Sequence, residues 1–100
     1  MLNLGRRTAH ERIAHLLCEV ALRLEAVGLA THRAFEASLA PIDIGDALGL
    51  SVVQVNRVLQ DFSRDGLVMP KAGSVEVFNF TGLARICNFD PGYLHLGRNA

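Results

Sequence analysis

One hundred residues, half of them hydrophobic, are enough for one domain with its own core. Ten basic and ten acidic residues cancel, so the chain lacks the strongly basic balance of an indiscriminate nucleic-acid binder, and any electrostatic footprint must be local. No apolar run approaches the ~20 residues that cross a bilayer, and no charged segment leads into a sustained apolar one, so a cytoplasmic protein without a membrane partner is expected.

Residues 8–28, TAHERIAHLLCEVALRLEAVG, put Ile13, Leu16, Leu17, Val20, Leu24 and Val27 on one face, the spacing of an amphipathic helix. Thr8 and Glu11 form a capping box at its start, and Gly28 is the expected stop. Residues 29–40 mix polarities without a period and read as a loop with a short turn around Phe35. Pro41 suits the first position of a short helix whose apolar face is Ile44, Ala47 and Leu48 and which ends at Gly49. Ser51 and Gln54 form a second capping box, opening a helix that runs to about Arg64.

Two short helices across Gly-Leu-Ser outline a helix-turn-helix. Ile44, Leu48, Leu50, Val55 and Val58 supply the apolar positions that join two crossing helices. Gly45 allows their close approach, and Gly49 permits the positive φ of a tight turn. After Gly66, LVMPK and SVEVFNF are β-prone runs joined around Ala72-Gly73, a hairpin signal. Thr81 is the expected cap of a last short helix through Cys87, and FDPGYLHL closes the chain as a turn and apolar tail. The predicted class is mainly α with a small β-hairpin, a winged helix-turn-helix occupying residues 1–100.

Cys18 and Cys87 lie in apolar surroundings without a CxxC spacing and read as buried, reduced thiols. His10, His15, His32 and His95 form no ligand cluster, so neither a metal nor a cofactor is expected. The sequence carries no nucleophile elbow or phosphate loop, which argues against an enzyme.

Helical geometry sorts residues 51–64 by function. At about 100° per residue, Val55, Val58, Leu59 and Phe62 share a core face, while Val53, Arg57, Gln60 and Arg64 point away from it. Gln54 and Asn56 lie on the flanks, and Val52 sits beside the core edge. A solvated helix face is the plain account of such polar residues; the preceding turn and following hairpin favour a surface that meets DNA. Arg57 could fork onto guanine and Asn56 onto adenine, whereas Gln54 is divided between DNA and its capping role.

The chain resembles the C-terminal DNA-binding domain of the Crp/Fnr family of bacterial transcription regulators. The resemblance is carried by LGRRTAHERIAHLLCEVALRLEAVGLA, by DIGDALGLSVVQVNRVLQDFSRDGLV and by FDPGYLHL, most specifically by ALGLS followed by VNRVLQ. It implies that helix 51–64 enters the major groove and that the wing, residues 67–80, touches the phosphate backbone. Full-length members place a cyclic-nucleotide-binding-like barrel and a dimerisation helix before this domain, so residues 1–7 are expected to be a remnant of the interdomain linker. The resemblance also implies double-stranded DNA as partner, a homodimer, and RNA polymerase if the protein is an activator.

Residue by residue, Arg57 matches the family's base-contacting arginine and Ser51 a serine that meets phosphate. Lys71 and Ser74 fall at the wing's phosphate contacts, and His10 matches a polar residue close to DNA. Val52 and Val53 stand where the best-known members carry an arginine and a glutamate, and Ala40 replaces a capping threonine. A typical member's sequence preference therefore does not transfer. The competing reading is a winged-helix interaction or dimerisation module that no longer binds DNA specifically, consistent with zero net charge and the two valines.

Overall fold

The first helix starts where its capping box requires. The Thr8 hydroxyl accepts the Glu11 amide at 3.1 Å and the Glu11 carboxylate accepts the Thr8 amide at 2.9 Å, ahead of α1 (Ala9–Ala26). The computed structural model describes residues 8–28 and 35–88. The proposed linker remnant, the closing FDPGYLHL tail and residues 29–34 of the expected loop lie outside those residues.

The remaining elements are β1 (Phe35–Ala37), α2 (Pro41–Leu48), α3 (Val52–Arg64), β2 (Val68–Lys71), β3 (Ser74–Val77) and α4 (Phe80–Cys87). The strands form an antiparallel sheet in the order β1-β3-β2. The expected hairpin, β2 and β3, is present and gains a third strand from a segment read as loop. Phe35, Glu36 and Ala37 are too few to display a period, yet Phe35 and Ala37 are buried and Glu36 is exposed. That alternation is the pattern of a half-buried strand.

On α1 the buried stripe is Ile13, Ala14, Leu17, Cys18 and Ala21. Leu16, Val20 and Leu24 pack at its margin, while Val27 at the C-cap is exposed. The stripe turns toward small residues because α1 packs most extensively on α4, where the Cys18 thiol meets Cys87. Both cysteines are buried and free. The hydrogen bond between them, reinforced by burial, pushes the Cys18 thiol far above its ordinary pKa, so it stays protonated.

The last helix begins earlier than expected. Asn79, not Thr81, is its N-cap, with Oδ1 accepting the Gly82 amide at 2.9 Å. An asparagine three residues ahead of a free amide caps as well as a threonine, which shifts the start to Phe80.

The α2–α3 junction is the tightest place in the fold. Ala40 has no side chain to cap α2, so only half of a capping box forms, the Ala40 amide donating to Asp43 Oδ2 at 3.0 Å. At the other end Gly49 adopts φ 71°, and the Leu50 amide donates to the Gly45 carbonyl at 2.9 Å. The Arg12 guanidinium donates to the Leu48 carbonyl, placing a cation at the negative end of α2. A Cβ on Gly45 would lie 2.5 Å from the Leu50 carbonyl oxygen. Gly45→Ala is therefore expected to destabilise the fold by about 1–3 kcal/mol through overpacking. Urea unfolding checks this, and an unchanged midpoint would show that the junction is not closely packed.

Candidate nucleic-acid interface

α3 presents two chemically distinct sides because its capping and its apolar spacing agree. The Ser51 hydroxyl accepts the Gln54 amide at 3.1 Å, and Gln54 Oε1 accepts the Ser51 amide at 3.0 Å. Val55, Val58, Leu59 and Phe62 are buried. Ser51, Val52, Val53, Gln54, Asn56, Arg57, Gln60 and Arg64 are all exposed. The helical wheel thus separates core from surface as expected. Val53 is 68% exposed and Val52 40%, so Val53 stands out into solvent and Val52 lies nearer the core edge.

The structure divides these residues further by their partners. Arg64 donates to Asp61 Oδ1 at 2.7 Å, and His10 Nε2 lies 2.8 Å from Asp61 Oδ2. The His10 ring also meets the edge of Phe62, with centroids 5.7 Å apart. His10, Asp61, Arg64 and Asp65 line one open cleft between α1 and the C-terminal half of α3. Arg57, by contrast, has no carboxylate among the described residues within ion-pairing distance, although the charge of Asp61 acts on it from one turn away.

The wing repeats this arrangement. Lys71 pairs with Glu76 at 2.9 Å, and the Ser74 hydroxyl donates to Glu36 at 2.7 Å. Glu36 and Glu76 are direct cross-strand partners on the outer sheet face, a like-charge pair that Lys71 and Ser74 relieve. Both candidate wing contacts therefore already engage an acid. The sequence showed that acids flank Arg64, and the i,i+3 spacing of Asp61 and Arg64 could have signalled their bond. The His10–Asp61 contact joins residues 51 apart and the Ser74–Glu36 contact depends on β1, so neither had a local signal.

The hydrogen bond from His10 holds the Asp61 carboxyl below its ordinary range, with help from the charges of Arg64, His10 and Arg57 and against partial desolvation. Glu76, by hydrogen bond and charge, raises the Lys71 ammonium above 10.5. A carboxyl depressed by folding stabilises the fold at pH above its ordinary value and loses that contribution as pH falls through the lower folded value. Asp61→Asn is therefore expected to melt below the unsubstituted chain at neutral pH, with the gap closing as pH falls below 3.8. Thermal melts across that range check this; a gap that persists in acid would contradict it.

A long helix carrying a two-helix unit, followed by a hairpin wing, defines a winged helix-turn-helix. Residues 11–86 match the family model of the Crp-like helix-turn-helix domain. The transcriptional activator protein FnrA of Stutzerimonas stutzeri is 34% identical over 86 residues, covering 86% of this chain and 35% of FnrA. A probable transcriptional activator of Rhizobium leguminosarum bv. viciae is 40% identical over 68 residues, covering 68% of this chain and 28% of that protein. The structure of FixK2 from Bradyrhizobium japonicum is similar with a TM-score of 0.63 and 32% identity, over 83% of this chain and 40% of FixK2. A transcriptional regulator of the Crp/Fnr family from Thermus thermophilus shares the fold with a TM-score of 0.68 over 85% of this chain and 43% of its own, at 20% identity. This chain belongs to the Crp-like helix-turn-helix domain family, as a DNA-binding module of the Crp/Fnr type. It spans about a third of the length of these curated relatives.

Proposed function

We propose that α3 enters the major groove of double-stranded DNA and reads sequence chiefly through Arg57. The observation that carries this reading is an exposed arginine free of carboxylate partners among the described residues, in the middle of an exposed helix face. Arg57 forks onto guanine O6 and N7; Asn56 and Gln60 supply further polar contacts, and Val53, with Val52 beside it, packs on thymine methyls. Ser51 and Gln54 bring the amino end of α3 to a phosphate. Lys71 and Ser74 in the wing, with His10 on α1 and Arg64 at the end of α3, supply backbone contacts once their acidic partners yield.

Few uncommitted cations mean few phosphates neutralised, so one module binds weakly, on the order of 10⁻⁴ to 10⁻⁶ M. Two copies on half-sites one helical turn apart, about 34–36 Å, raise the affinity by tethering if they are linked as a homodimer. The relatives matched are transcription regulators rather than enzymes, which supports a role in transcription on the nucleoid, with RNA polymerase as partner for an activator. The apolar Val53 and the acid-engaged wing favour the second reading, an interaction or dimerisation module without specific DNA binding.

Arg57→Ala is expected to weaken binding to a duplex selected from random sequence by about 1–3 kcal/mol and to relax preference at one base pair. Fluorescence anisotropy on the selected duplex and its single-pair variants checks this. Unchanged affinity and preference would remove Arg57 as the reader and favour the second reading.

A further inference from the structure

We propose that Asp61 is an internal competitor for DNA phosphate, holding His10 and Arg64 on α3 so that the module binds DNA of any sequence more weakly than its arginines would allow. The inference rests on the reading of α3 as the DNA-contacting helix. Both oxygens of the Asp61 carboxylate are committed, Oδ2 to His10 at 2.8 Å and Oδ1 to Arg64 at 2.7 Å. The histidine and the arginine come from different helices, α1 and α3, and meet at this one acid. Arg64 is largely solvent-exposed, and His10 is held in place by the Phe62 edge, so both are within reach of a strand passing the cleft.

A phosphate that recruits either side chain must break a formed contact to the Asp61 carboxylate and approach its negative charge. Arg57 carries no such obligation among the described residues. The consequence is a module whose backbone attraction is throttled while its base contact is not. Binding then depends on the correct sequence and on a second half-site rather than on general attraction to DNA.

Asp61→Asn keeps the shape and removes the carboxylate charge that holds His10 and Arg64. Asp65→Asn changes net charge equally at a residue with no cation among the described residues within ion-pairing distance. Binding of the full chain to a selected and a scrambled duplex is measured by anisotropy at several salt concentrations. Asp61→Asn is expected to tighten binding to both duplexes by about tenfold at low salt and to steepen the salt slope by about 1 to 2. Asp65→Asn is expected to change neither by more than about twofold, a small fraction of one phosphate contact's effect. With His10→Gln and Arg64→Gln both present, Asp61→Asn should gain no more than Asp65→Asn does.

Equal effects of Asp61→Asn and Asp65→Asn would overturn the inference, since net charge alone would then account for them. Binding that stays sequence-selective but is not tightened by Asp61→Asn defeats this inference and leaves the reading of α3 intact. Failure of both the unsubstituted chain and Asp61→Asn to bind either duplex at low salt defeats the reading of α3 itself. If Asp61→Asn and Asp61→Ala both fail to fold, the contact is structural and the proposal is wrong.

Discussion

The contact between Gly45 and Leu50 fixes everything the candidate interface presents. The Leu50 amide donates to the Gly45 carbonyl while the Leu50 carbonyl oxygen comes so near Gly45 that a side chain there has no room. α2 must therefore end at Gly49, in the left-handed conformation its φ of 71° records, and α3 must leave the turn in one direction. Ile44 and Val55, both fully buried, lock that direction from the core side. Once it is locked, the period of α3 decides the rest: Val55, Val58, Leu59 and Phe62 go inward, and Val53, Arg57, Gln60 and Arg64 go outward.

The electrostatics follow a similar economy of position. A net charge of zero could describe a surface of evenly mixed, solvated ions. Near the candidate interface the acids pair with particular donors: Asp61 with His10 and Arg64, Glu76 with Lys71, Glu36 with the Ser74 hydroxyl. Such exposed pairs add little to stability, typically below ~1 kcal/mol each. Their larger effect is on availability. They leave Arg57 as the arginine of α3 without a carboxylate partner among the described residues, next to an exposed valine.

Much of this was legible in the sequence because it is encoded locally. The capping pairs Thr8–Glu11 and Ser51–Gln54 sit three residues apart and form as expected. Pro41 and Gly49 bracket α2, and the 3.6-residue period places the two sides of α3. What was illegible is long-range. β1 is three residues whose strand character exists only against Val75 to Val77 of β3. The start of α4 turned on whether Asn79 or Thr81 captured a free amide, a choice that spacing alone leaves open. The partners of His10 and Ser74 lie 51 and 38 residues away in the chain, so the sequence named these side chains as candidates but gave no sign that acids hold them.

Whether this module meets DNA with the exposed side of α3 is decided by NMR titration of the ¹⁵N-labelled chain with a selected duplex. Amide shift changes are expected to concentrate over residues 51–60, with the Arg57 side-chain Nε signal among the strongest, and to be smaller in the wing. Changes centred instead on the outer face of the sheet, around Glu36, Met69 and Glu76, with α3 unperturbed, would contradict that mode of binding.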